Sequence, residues 1–94
     1  MLHEDKDKLS DKTLDLKRAN DSLREEMEAV DWYRQRAEAT KDENLKKVLE
    51  HNMNEEKEHA AMLIEWIRQN DKEFDKELKD YVGSGADDIA GMED

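Results

Sequence analysis

Three side chains whose types and spacing suit metal chemistry stand where the sequence pattern calls for apolar residues. Glu26 follows Leu23 by three positions and precedes Val30 by four and Tyr33 by seven, so it lies on one helical stripe with them. Glu56 follows Asn52 by four and Leu49 by seven, and His59 precedes Leu63 by four. A Glu-x-x-His at this spacing puts both side chains on the same face of a helix. A bare carboxylate taken out of water costs several kcal/mol, so it has to be paired, protonated or bound to a cation. No Lys or Arg shares the stripe near these positions, since Lys57 and Arg34 lie off it. Oxygen and imidazole donors suit iron, manganese and zinc. Four-helix carboxylate di-iron sites take one Glu from each of two helices and a Glu-x-x-His from each of the other two. One copy of this chain holds half of that set, and two copies hold all of it.

Long helices are needed to position these residues, and the sequence supplies them. There is no proline, and the three glycines fall at 83, 85 and 91, so nothing punctuates the chain strongly from Ser10 to Val82. No stretch alternates with the period of two that marks a strand. A first helix is predicted from about residue 8 to Ala39, on Leu9, Leu16, Ala19, Leu23, Met27, Val30, Tyr33 and Ala37. Thr40-Lys41-Asp42-Glu43 fits a capping box with Thr40 at the N-cap, which starts a second helix running to about Gln69. Asn70-Asp71 reads as a helix end and a new N-cap, opening a short third helix over 72–82. The chain is expected to be one domain over 1–94: a frayed N-terminus at 1–7, helices over 8–82 and a flexible acidic tail at 83–94. The fold class is all-α, an antiparallel two-helix hairpin about 45 Å long plus a short C-terminal helix.

Composition gives a separate reason to expect a second copy. Charged residues make up 46% of the chain and the net charge is −11, while Leu, Ile, Val and Phe together number only 16 of 94. That is about 17%, below the share at which a strongly charged chain builds a good core of its own. Each helix carries a narrow apolar stripe, so pairing of two hairpins into a four-helix bundle is the expected remedy. The same numbers exclude other classes. The absence of cysteine removes disulfides and thiolate chemistry, and the negative charge without a basic patch argues against nucleic acid. No apolar run approaches a membrane span.

Beyond these patterns the sequence resembles a known family. Glu28-Ala-Val-Asp-Trp-Tyr33 followed by Gln35-Arg36 carries the resemblance, with His51-Asn52, the run Glu55-Glu56-Lys57-Glu58-His59-Ala60-Ala61-Met62, and Glu65-Trp66. Over Leu23 to Asp71 the chain is similar to the encapsulated ferritins, short ferritin-like proteins that bacteria and archaea load inside encapsulin shells. The resemblance implies dimers assembled into a ring-shaped decamer, with a di-iron ferroxidase centre formed across the dimer interface. It implies Glu26, Glu56 and His59 as iron ligands, and Tyr33 as the tyrosine beside the centre. It further implies a metal-entry site at Glu25, Glu28 and Trp32, and an outer metal site at His51, Glu55 and Glu58. The implied partner is an encapsulin shell protein, and the implied location is a cytoplasmic nanocompartment. Members end in a short apolar and basic peptide that docks to the shell, and the segment from Asp87 to Asp94 does not match it.

Other readings of these residues stand beside that one. Glu25 and Glu28 also fit a solvated acidic face, His51 with Glu55 an exposed polar pair, and Trp32 and Trp66 packing anchors. For the whole chain the alternatives are a di-iron or di-manganese peroxidase-like protein, and a non-catalytic helical adaptor whose inward Glu and His set register. Manganese or zinc could substitute for iron at such donors.

Overall fold

Side-chain caps set the bounds of each helix in the computed structural model, which describes residues 1–93. Of the acidic tail, Asp94 lies outside the described residues. Ser10 has extended backbone, and its hydroxyl accepts the N–H of Thr13 at 3.1 Å. Helix α1 (Asp11–Ala39) therefore starts three residues later than its apolar spacing predicts, with only a 3₁₀ turn at Lys6–Lys8 before it.

The start of α2 (Glu43–Asn70) corrects the predicted capping box. Thr40 belongs to the end of α1, where its N–H donates to the carbonyl of Arg36 at 3.1 Å. The cap of α2 is Asp42, whose carboxylate accepts the N–H of Leu45 at 2.9 Å. Reversing the chain takes the non-helical residues 40–42, and Thr40 contributes by accepting the Asp42 N–H at 3.2 Å. Asp71 separates α2 from α3 (Lys72–Tyr81) and caps α3 by accepting the Phe74 N–H at 3.0 Å, as Asn70-Asp71 predicts. Beyond α3, Gly83 and Gly85 take left-handed backbone, and a 3₁₀ turn covers Ala90–Met92. Among the described residues there is no strand, and no helix is long and apolar enough to cross a membrane.

The first two helices run antiparallel. Lys12 at the start of α1 donates to Asn70 at the end of α2, Glu26 faces His59, and Arg34 and Ala37 share a cleft with Lys46 and Met53. The seam is thin: among the described residues the buried apolar ones are Ala19, Val30, Ala37, Ala60 and Ile67, and no large side chain is wholly removed from solvent. The radius of gyration is 17.2 Å, against about 12 Å for a compact domain of this length. The two-helix hairpin is a rod with little interior, and with α3 and the termini the chain spans 50 × 38 × 20 Å.

A charged joint fastens α3 to α2. Arg68 holds both oxygens of Glu65 at 2.8 Å and reaches Asp75 on α3 at 2.5 Å, with Lys79 behind Asp75 at 3.0 Å. Hydrogen bonds from Arg68 and Gln69 lower the Glu65 carboxyl from 4.5 to about 2, and Arg68 with Lys79 lowers Asp75 as well. A carboxyl whose folded value lies below its unfolded one stabilises the fold fully above the unfolded value and loses that contribution as pH falls through the folded one. The joint is expected to hold at neutral pH and to weaken between about pH 4.5 and 2, modestly because water reaches its groups. An acid titration followed by helical circular dichroism should show a step in that window that Arg68→Gln removes. Superimposable curves would mean that Arg68 does not fasten α3.

Candidate metal centre

The antiparallel register brings the middle of α1 against the middle of α2, and the three residues on the apolar stripes meet there. His59 Nδ1 lies 3.5 Å from Glu26 Oε2 and 3.6 Å from Glu56 Oε2. One donor atom from each of the three falls within 4.8 Å of the others. These separations are too long for good hydrogen bonds. They suit donors that share an ion, because two ligands each about 2.1 Å from one metal sit about 3–4 Å apart. Glu26 Oε2 adds an independent sign: it is buried and has no hydrogen-bond partner. An orphaned buried carboxylate oxygen is uncommon, and a cation beside it would satisfy it. The residues present fit a metal ion.

The cluster opens on one side of the hairpin. Glu26 and Glu56 keep about a quarter of their side-chain surface in water, and His59 keeps 43%. The same side of α2 carries Leu45, Val48, Asn52, Leu63 and Trp66, at steps of three and four from Glu56 and His59. Leu45, Val48 and Trp66 are exposed there although they are apolar. Next to the cluster, Ala19, Ser22, Leu63 and Trp66 line an open groove of about 410 Å³. The Glu26–Glu56–His59 group and an uncovered apolar face occupy one surface.

The remaining residues singled out by sequence are distributed differently. Tyr33 is half-buried two turns along α1 from Glu26. Glu25, Glu28 and Trp32 are all exposed on α1, and among the described residues Glu25 and Glu28 belong to no group of three acids or histidines at metal-binding distance. His51 Nε2 and Glu55 Oε1 approach to 3.6 Å on the exposed side of α2, and Glu58 does not join them. Among the described residues, Glu26, Glu56 and His59 are the one group of three or more such side chains gathered at metal-binding distance. Arg36, which the sequence marks only as part of the family resemblance, places its guanidinium carbon 5.7 Å from the Tyr33 ring centroid and 5.9 Å from that of Trp32. Its spacing of three and four from two aromatic residues was the available signal.

Comparison with known proteins places this geometry among relatives. A family model described as EncFtn-like matches residues 1–84. A ferritin-like protein of Thermotoga maritima is 52% identical over 80 residues, covering 85% of this chain and 70% of that protein. An encapsulated ferritin-like protein of Rhodospirillum rubrum is 48% identical over 80 residues, and the chain spans 57% of its length, less than two thirds. The crystal structure of a Nitrosomonas europaea protein superposes with a TM-score of 0.86 at 59% identity, covering 90% of this chain and 93% of that one.

Proposed function

This chain belongs to the EncFtn-like family, and on that premise we propose that it is a ferroxidase whose di-iron centre forms between two copies. The observation that carries the proposal is the half-set of ligands, Glu26, Glu56 and His59, with its orphaned oxygen, opening onto an uncovered apolar face. Two hairpins related by a two-fold axis would cover that face and double the set to four carboxylates and two imidazoles.

Iron is the substrate. Two Fe(II) ions give one electron each, and with two protons dioxygen leaves as hydrogen peroxide. Glu56 is assigned as the carboxylate shared between the two irons, Glu26 as a terminal chelate and His59 as the terminal nitrogen. Four carboxylates offset much of the charge of the ferric product. Glu25, Glu28 and Trp32 are proposed to attract Fe(II) on its way in, His51, Glu55 and Glu58 to form an outer metal site, and Tyr33 to flank the centre. Pairs are proposed to assemble into a ring-shaped decamer. The name of the Rhodospirillum rubrum relative supports placing this chain as cargo of an encapsulin shell, feeding iron storage there.

Native mass spectrometry of the chain, titrated anaerobically with Fe(II), tests the reading. The expected result is two irons for each pair of chains, in even-numbered assemblies only. One iron bound by a monomer would overturn the shared centre, and assemblies without stoichiometric metal would favour the adaptor.

A further inference from the structure

Arg36 has surroundings that the iron ligands do not explain. Its guanidinium lies within the roughly 6 Å range of a cation–π contact to both the Tyr33 and Trp32 rings. Among the described residues no carboxylate pairs with it, whereas Arg18, Arg24 and Arg68 each hold one. Its positive charge therefore acts on the rings without being neutralised by a neighbouring anion.

Tyr33 is the ring placed to matter. It is half-buried and follows Glu26 by seven residues on the same face, about 10.5 Å along the helix axis. Taking an electron from a ring that faces a cation is opposed electrostatically, because the ring loses the negative charge that the cation attracts. The oxidation of iron leaves a demand for such electrons. Two Fe(II) ions supply the two electrons that take dioxygen to hydrogen peroxide. Continuing to water takes two more electrons and two more protons, which the Tyr33 phenols of the two paired copies would supply at one electron and one proton each, leaving each as a neutral radical.

We propose that Arg36 is a positioning residue acting through Tyr33: its guanidinium keeps the ring from giving up an electron, so the reaction ends at hydrogen peroxide and spares the protein. The chemical half of this inference rests on the ferroxidase reading above. The electrostatic half does not.

The test separates the two. In metal-free protein, light and tris(bipyridine)ruthenium(II) with persulfate generate a one-electron oxidant, and peptide mass spectrometry gives the yield of oxidised Tyr33 relative to Tyr81. Tyr81, over which no cation lies among the described residues, is the internal control. Arg36→Met keeps bulk over the rings and removes the charge, so a purely packing role would leave the ratio unmoved. The expected result is a rise of about two- to fivefold, the size of an exposed cation–π contact, largely reversed by Arg36→Lys. An unchanged ratio in Arg36→Met overturns the proposal whatever the iron chemistry does. With Fe(II) and dioxygen, Arg36→Met is then expected to yield less hydrogen peroxide per iron and more oxidised Tyr33. A raised ratio in a protein that oxidises no iron would keep the action of Arg36 on the ring and discard the ferroxidase reading.

Discussion

Alanine in place of Glu26, Glu56 or His59 is expected to reduce oxygen-dependent Fe(II) oxidation at least about 100-fold. Loss of a group that merely supports a metal ligand costs roughly 10- to 100-fold in activity or affinity. Each of these substitutions would remove a ligand itself, and would do so twice in a symmetric pair. Stability should move the other way at one position. Glu26 Oε2 is buried and no hydrogen bond satisfies it, so Glu26→Leu removes a costly buried polar atom and is expected to leave thermal stability equal or higher. Lost oxidation with retained or raised Tm is therefore the signature of a ligand held in place against folding stability. Absorbance of ferric product after mixing with aerobic Fe(II), read beside a thermal melt, measures both. Normal oxidation by any one variant removes that residue from the centre.

If two copies pair through the uncovered face as proposed, a charge placed there should separate them and abolish iron oxidation. Val48 is 50% exposed and shares the side of α2 that carries His59, Leu63 and Trp66. Full burial of such a side chain is worth about 1.5–3 kcal/mol, and about half of that is left for an interface to gain. In a two-fold pair the residue counts twice, so Val48→Glu is expected to weaken association by about 1.5–3 kcal/mol, roughly 10- to 100-fold, before any penalty for the buried charge. Asn54→Glu, exposed on a different side of α2, is the control that should change neither assembly nor oxidation. Sedimentation velocity across a concentration series decides it. Undiminished pairing in Val48→Glu would place the interface elsewhere and leave the three ligands without the second set they need.

Much of this arrangement was legible in the sequence because it depends on spacing along one helix. Glu26 reads as inward from Leu23, Val30 and Tyr33, and Glu56 with His59 reads as one face from Leu49 and Leu63. What the sequence could not separate was competition between near-equivalent groups. Thr40 and Asp42 are both good N-caps, and the Thr40 hydroxyl is taken up by the Asp42 N–H, which leaves the Asp42 carboxylate to accept from the first turn of α2. Contacts across a break in the helix were less visible still. Arg68 and Asp75 lie seven apart, a same-face spacing only if one helix continues, and α2 stops between them. The orphaned oxygen of Glu26 depends on two helices at once, so no single-helix pattern could reveal it.

The methyl groups of Ala19, Ala37 and Ala60 act as the spacers of the rod. Paired helices lie about 8–10 Å apart according to the bulk between them, and alanine sets the closer end of that range. Ala60 adjoins His59, which lies 3.5 Å from a carboxylate on the opposite helix, whereas Glu56 and His59 ride on the same one. A bulkier residue at 60 would wedge the rod open and draw Glu26 away while leaving the other two donors together. The bore of the seam is therefore gauged by its smallest side chains, and on the proposed metal reading the size of cation that fits between the three donors is gauged with it.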